Sequence, residues 1–207
     1  FLGTAAHCFY ATSSTDTSQN EPCVAQGNSA TGSPVTIYGR NPDIHIIGHL
    51  AYLSSSAMQQ INETDPDTCA SNDLALVELP ASAMSRVHPA VIYFGGPMML
   101  ASSEPLADGT NLYTWASSPT RSANGIMKAE ILHPQHEGVA NYIQNGWQFN
   151  RQEFKQEGQT GLLPGDSGCG FLGPNGEAMG WLRGAGINLP RALDYMRANG
   201  GWAPTPM

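Results

Sequence analysis

The segment of this sequence with the clearest chemical potential is Gly165-Asp166-Ser167-Gly168. Small residues around a serine let the backbone turn sharply and bring main-chain N–H groups close to the hydroxyl. A serine in such a turn can attack a carbonyl carbon, but a Gly-Asp-Ser-Gly turn also occurs in ordinary loops. The tetrapeptide alone therefore leaves both interpretations open.

Two further segments contain groups that could make this serine reactive. Thr4-Ala5-Ala6-His7-Cys8 places a histidine at the end of an apolar strand, and an imidazole can accept and return a proton near neutral pH. Ser71-Asn72-Asp73-Leu74-Ala75-Leu76-Val77 places a carboxylate at the start of another apolar strand. Taken singly, His7 could be a strand-end histidine bonded to water and Asp73 a turn residue. All three motifs in the order His, Asp, Ser are rarely found by chance.

These three motifs resemble those of the chymotrypsin/trypsin-like serine peptidases, above all the bacterial extracellular members. The resemblance is specific at the motifs and loose in the long loops between them. It implies an all-β fold of two six-stranded antiparallel barrels with a C-terminal helix. Residues 1–100 would form the N-terminal barrel, without its first strands, and residues 101–207 the C-terminal barrel.

The resemblance also implies a role for each matching residue. His7 corresponds to the general base, Asp73 to the carboxylate that orients it, and Ser167 to the nucleophile of an acyl-enzyme mechanism. The main-chain N–H groups of Gly165 and Ser167 correspond to the oxyanion hole. Asp166 corresponds to an aspartate that pairs with a buried cation, for which Arg121 is a candidate and a solvated loop arginine the alternative.

The same comparison assigns the substrate pocket to Gly161, Arg183 and Gly184. The position six before the nucleophile carries an aspartate in members that cleave after Lys or Arg, and here it is Gly161. We therefore expect no preference for a basic residue before the scissile bond. Two alternatives stay open for Arg183: it lines the pocket and attracts a carboxylate, or it points to solvent and leaves a neutral pocket.

Two alternatives to an active endopeptidase also stay open. The first is a catalytically inactive binding module on a protease scaffold. Arg183 and the missing first strands are the features that favour it. A metal-dependent hydrolase would use the histidine pairs, but His45 and His49 lie in a run with strand character and lack the glutamate of a hydrolytic zinc motif. We therefore expect neither a metal site nor a cofactor.

The elements that must position these groups are mostly strands. Long polar loops are predicted over residues 11–34 and 54–71, and a C-terminal helix begins near Pro190 and ends at Asn199-Gly200-Gly201. Apolar and β-prone runs predict strands over residues 35–38, 44–53, 74–79, 91–94, 112–115, 126–132, 147–154, 171–172 and 178–182.

Composition narrows the class of protein and its partners. The 207 residues include 23 Gly and 15 Pro, which favours short strands joined by tight turns. The formal net charge is −8 and there is no run of Lys or Arg, which argues against nucleic acid as a binding partner. No apolar stretch approaches the roughly 20 residues that cross a bilayer. We expect a monomer that acts on a protein or peptide substrate.

The four cysteines are informative about the compartment in which the protein works and about whether the chain is a fragment. Cys8 and Cys23 flank a polar loop, so we predict a disulfide between them and an extracellular protein. Cys69 then has no partner. Because the sequence begins inside an apolar run at Phe1, we expect the chain to be a fragment whose missing segment carried that partner.

Overall fold

The computed structural model describes residues 1–10, 23–24, 27–38, 43, 45–88, 95–102, 110–116, 118, 125–132, 146–154, 164–183 and 185–199. The chain divides into two compact units, Phe1–Pro89 and Ala90–Met207. Among the described residues, none of the helices has the length and apolar character needed to span a membrane. Two barrel domains with a boundary at residue 100 stay a prediction.

In the first unit the described residues form a four-stranded antiparallel sheet with strand order β1-β4-β3-β2. In the pair of the edge strand β1 with β4, Ala5 at the end of β1 lies opposite Leu74 at the start of β4. The residues that follow β1 and those that precede β4 therefore meet at one edge of the sheet. The strands are β1 (Leu2–Ala5), β2 (Pro34–Tyr38), β3 (His45–Leu53) and β4 (Leu74–Glu78).

A short 3-10 helix, Ala6–Phe9, follows β1 directly. Its first residue, Ala6, is fully buried in a core cluster with Leu50, Leu53 and Ala75 of the neighbouring strands. Its third residue, Cys8, is exposed. Because the chain tightens into this helix as soon as the strand ends, His7 lies between a buried and an exposed position.

The prediction of a loop over residues 54–71 is wrong, because two short helices occupy most of it: α1 (Ser54–Gln60) and α2 (Pro66–Ser71). The carboxylate of Asp65 accepts the Thr68 N–H at 2.8 Å, which caps α2. An aspartate followed by a proline and, three residues on, a threonine is a local start signal for a helix. A second 3-10 helix, Ala81–Arg86, follows β4.

The predicted Cys8–Cys23 disulfide is also wrong. Cys23 is bonded to Cys69, with Cα atoms 5.0 Å apart. The 3-10 helix directs Cys8 outward, whereas α2 brings Cys69 to Cys23 across 46 residues of sequence. Separation in sequence therefore did not predict the pairing correctly. Because Cys69 is bonded to Cys23, its pairing no longer supports a missing partner.

The described residues of the second unit form seven strands in the order β11-β8-β7-β6-β9-β10-β5. Strand β11 pairs with β8 and also with β10. The pairings of β8, β7, β6, β9, β10 and β11 therefore form a ring. The short β5 adds in parallel to β10. The strands are β5 (Met99–Leu100), β6 (Asn111–Ala116), β7 (Gly125–Leu132), β8 (Gln148–Phe154), β9 (Gly170–Leu172), β10 (Glu177–Arg183) and β11 (Ala185–Asn188).

The core of the second unit depends on glycines beside an aromatic ring. Phe149 packs edge-on against Phe171 with ring centroids 5.8 Å apart. A Cβ at Gly186 would overlap the Phe149 ring, and one at Gly180 would overlap the Ile187 carbonyl oxygen. Only a residue without a side chain fits where the ring and the strands approach so closely.

The C-terminal helix is confirmed as α3 (Leu189–Ala198), which buries Ala192, Leu193 and Met196. Asn188 caps it by accepting the Arg191 N–H at 3.1 Å. The predicted strands are confirmed with ends that differ by a residue, except for 91–94, which lie outside the described residues.

A mostly β chain of two units with a C-terminal helix is consistent with a trypsin-like double-barrel fold. The expected pair of six-stranded barrels, the first without its initial strands, is confirmed only in outline, because the described strands of the first unit form an open sheet of four.

Candidate active site

His7 and Asp73 lie side by side at the edge where β1 ends and β4 begins. The Ala6 N–H donates to the main-chain carbonyl of Asp73 at 2.9 Å, and the His7 N–H donates to Asp73 Oδ1 at 2.8 Å. His7 Nδ1 lies 2.7 Å from Asp73 Oδ2. The aspartate is therefore held against the 3-10 helix by both its backbone and its carboxylate.

The contact with Asp73 orients the imidazole of His7. An ionised carboxylate only accepts hydrogen bonds, so Nδ1 carries the proton that lies between the two side chains. Nε2 is then the nitrogen that can accept a proton from another group. Asp73 is fully buried and the His7 side chain is 27% exposed, so the carboxylate is shielded from water while the ring keeps an accessible side.

The pKa of His7 is raised from 6.5 to about 9. Burial disfavours the charged imidazolium and lowers the pKa, but the hydrogen bonds to Asp73 and Cys8, together with the charge of Asp73, outweigh this effect. His7 is accordingly protonated at neutral pH and becomes a proton acceptor in the alkaline range.

Ser167 lies in a tight turn between Pro164 and Gly168 in the second unit. Gly165 has φ of +94° and Gly168 has φ of +86°, values in the left-handed region that favours glycine. The two glycines of the motif are thus explained by backbone geometry. Ser167 itself is half-buried and Gly165 is exposed.

Hydrogen bonds fasten both ends of this turn. The Gly168 N–H donates to the carbonyl of Leu182 in β10 at 2.9 Å. The buried carboxylate of Asp166 accepts the Ser118 N–H at 2.6 Å, and Ser118 Oγ donates to the Pro164 carbonyl at 2.6 Å. Arg121, the cation proposed for Asp166, lies outside the described residues.

With this geometry established, the chain can be compared with known proteins. No family model and no curated protein sequence matches it. Among solved structures it is similar to the active form of the Rv3671c protease from M. tuberculosis, with 16% identity, 99% of this chain and 71% of that chain covered, and a TM-score of 0.50. The fold of this chain is therefore similar to that of this protease. At this identity the likeness concerns the fold, and the chemistry depends on the residues of this chain.

Two further structures are similar at lower TM-scores. An inactive form of Rv3671c from M. tuberculosis H37Rv, with serine replaced by alanine, gives 0.46 at 15% identity over 97% of this chain and 76% of that chain. Deg5 gives 0.45 at 17% identity over 82% of this chain and 70% of that chain.

Sequence reasoning missed a residue that supports the backbone around Asp73. Ser54 is fully buried, and its hydroxyl donates to the Asn72 carbonyl at 2.7 Å and accepts the Leu74 N–H at 3.0 Å. These bonds fix the backbone on both sides of Asp73. Ser54 is 18 and 20 residues from its partners, and no local pattern in the sequence marks it.

Of the predicted pocket residues, only Arg183 lies in the described part of the chain. It ends β10 opposite Ala185 and is half-buried. Its neighbour in β10, Leu182, accepts the Gly168 N–H. Arg183 is therefore one residue away in sequence from the contact that holds the Ser167 turn. Gly161 and Gly184 lie outside the described residues, and the pocket stays a prediction.

The histidine pair that could suggest a metal lies in a strand. His45 and His49 are both exposed on β3. In the described part of the chain, no group of three or more side chains with metal-binding atoms is found.

Proposed function

We propose that this chain is a serine endopeptidase that hydrolyses proteins or peptides through an acyl-enzyme at Ser167. The observation that carries the proposal is the contact of 2.7 Å between His7 Nδ1 and the fully buried Asp73 carboxylate. This contact fixes the tautomer and orientation that a general base needs. The similarity in fold to the active form of the Rv3671c protease, at a TM-score of 0.50, supports the same class of activity.

In the proposed reaction the hydroxyl oxygen of Ser167 attacks the scissile carbonyl carbon while His7 takes the hydroxyl proton. His7 then gives that proton to the leaving amine, and a water molecule activated in the same way releases the acyl group. The N–H groups of Gly165 and Ser167 donate to the oxyanion of the tetrahedral intermediate. The mechanism needs no cofactor.

We further infer that the protein works outside the cell as a monomer. The Cys23–Cys69 disulfide supports an oxidising compartment. A formal net charge of −8 supports a protein or peptide substrate in preference to nucleic acid.

We propose that cleavage does not follow Lys or Arg, because Gly161 offers no counter-charge to a basic side chain. Profiling the protein on a peptide library, with Arg183→Ser as the paired variant, tests this. An acidic preference that Arg183→Ser removes would assign the guanidinium to the pocket, and an apolar or small preference in both proteins would assign it to solvent. A strong Lys or Arg preference would overturn the proposal.

One observation favours a second candidate function, an inactive binding module on the protease fold. With a pKa of about 9, His7 is mostly protonated at pH 7, and only its small neutral fraction can accept the hydroxyl proton of Ser167. The two candidates differ in alkaline solution, where only the peptidase becomes active.

A fluorophosphonate probe at pH 7 and at pH 10 separates the candidates. We expect labelling that is faster at pH 10, that maps to Ser167 by peptide mass, and that Ser167→Ala or His7→Ala removes. Cys8→Ser should keep the label, which excludes reaction at the thiol beside His7. A folded protein that stays unlabelled at both pH values would support the binding module.

A further inference from the structure

Ser118, which is distant in sequence, holds the first half of the Ser167 turn through its main chain and its side chain. Ser118 is 2% exposed. Its N–H donates to Asp166 Oδ1 and its hydroxyl to the Pro164 carbonyl, each at 2.6 Å and more than 40 residues away in sequence. The second half of the turn is held by main-chain bonds from Gly168 to Leu182 and from Cys169 to Asp166.

The bond to Pro164 fixes the orientation of one peptide plane. The peptide between Pro164 and Gly165 is trans, and the C=O and N–H of a trans peptide point in opposite directions. With the Pro164 carbonyl directed at the Ser118 hydroxyl, the Gly165 N–H is directed to the other side of the turn. That N–H is one of the two donors that the proposed mechanism assigns to the oxyanion.

The backbone of the turn does not select this orientation by itself. Gly165 has φ of +94°, and glycine adopts positive and negative φ about equally readily. Rotating the peptide plane would change φ of Gly165 and ψ of Pro164, and the glycine opposes that rotation little. The hydrogen bond from Ser118 therefore disfavours an orientation that the covalent structure allows.

We propose that Ser118 is a positioning residue that holds the Gly165 N–H toward the developing oxyanion of the substrate. This inference rests on the proposed peptidase function. Because an oxyanion donor acts mainly on the transition state, loss of the Ser118 hydroxyl should lower kcat and leave KM nearly unchanged.

The test is Ser118→Ala, which removes the bond to Pro164 and keeps the main-chain bond to Asp166. On a peptide amide substrate we expect kcat to fall about 10- to 100-fold. The affinity for a peptide boronic acid, which forms a tetrahedral adduct, should fall by a similar factor. Ser118→Thr keeps the hydroxyl and should restore most of both.

Thr114→Val is the matched control in the same unit. Thr114 is 1% exposed, and its hydroxyl donates to the Gly170 carbonyl at 2.7 Å, so this variant also removes one buried hydroxyl-to-carbonyl bond. We expect a loss of stability similar to that of Ser118→Ala, with kcat within about twofold of the parent. If Ser118→Ala does not fold, Ser118→Cys replaces it, since a thiol is a weak donor and should also lower kcat.

The outcomes are separable. A parent protein that neither hydrolyses peptides nor reacts with the fluorophosphonate overturns the proposed function, and this inference with it. An active parent with unchanged kcat in folded Ser118→Ala overturns only the role of Ser118. An equal fall of kcat in Thr114→Val, or no recovery in Ser118→Thr, would likewise show that the hydroxyl acts through general stability.

Discussion

The two regions proposed to carry the chemistry are held in different ways. In the first unit His7 and Asp73 owe their contact to the register of β1 with β4, where Ala5 lies opposite Leu74. In the second unit Ser167 lies in a turn with two glycines at positive φ, fastened by individual bonds from Ser118 and Leu182. Strand pairing spreads its support over many bonds, whereas a turn depends on a few. Changes near the first region should therefore alter stability and proton affinity together, and single changes near the second should alter activity.

The largest expected effect is on catalysis, from Asp73→Asn. An amide in place of the carboxylate favours the wrong tautomer of His7, and we expect kcat/KM to fall about 10⁴-fold. Peptide hydrolysis by the parent and the variant measures this. The folded state should survive, because strand pairing is retained, and activity within tenfold of the parent would refute the role of Asp73.

The disulfide should distinguish the units by stability, because both of its cysteines lie in the first. A bridge across 46 residues restricts the unfolded chain, and its loss through Cys23→Ser should cost about 4 kcal/mol. Hydrogen exchange should show the loss in β3 and β4 and spare β9 and β10. Cys8→Ser is the control and should change stability little.

Peptide mass mapping without reduction checks the pairing itself. A peptide that joins Cys8 to Cys23 would contradict the structure.

The stability of the first unit should depend on pH through His7. Its pKa is about 9 in the folded protein and 6.5 for a histidine in the unfolded chain, so the protonated histidine stabilises the fold fully below pH 6.5. This contribution decreases as the pH rises from 6.5 to 9 and is absent above that, a loss of up to about 3 kcal/mol. Urea unfolding at a series of pH values measures it. His7→Gln should remove the decrease, and a decrease that persists in that variant would assign it to another group.

The smallest expected effect compares two buried serines at the start of α1. Ser54 is bonded to the backbone on both sides of Asp73, while Ser55 donates to the side chain of Asn28 at 3.1 Å. Replacing either by alanine should cost about 1 to 3 kcal/mol. Only Ser54→Ala should also lower the pKa of His7, as followed by NMR titration of the ring. Equal pKa values in the two variants would show that Ser54 does not position Asp73.

Local patterns predicted most of the elements. Apolar alternation marked the strands of both units, and Pro190 with the glycines after Asn199 marked the C-terminal helix. The helices over residues 54–71 were missed because serines dominate the first, although Asp65 and its following proline signalled the second. Burial of one face decides such helices, and that burial depends on residues far away in sequence.

Long-range partners set the limit of what the sequence could predict about the site. The motifs identified His7, Asp73 and Ser167 as candidates, and the structure shows the contact between the first two, while their catalytic roles stay a prediction. Ser54 and Ser118 act through single hydroxyls that reach residues 18 to 46 positions away. The partner of Cys69 was missed for the same reason. The prediction paired cysteines that are close in sequence, whereas the bonded cysteines are 46 residues apart.

The central claim is that the His7–Asp73 pair activates Ser167. Its most direct test is the rate of fluorophosphonate labelling of Ser167 from pH 6 to pH 11 in the parent and in Asp73→Asn. The account predicts a parent rate that rises with pH to a plateau with a midpoint near 9, and a much slower rate in Asp73→Asn with its midpoint shifted toward 6.5. A rate that does not depend on pH, or the same midpoint in both proteins, would contradict it.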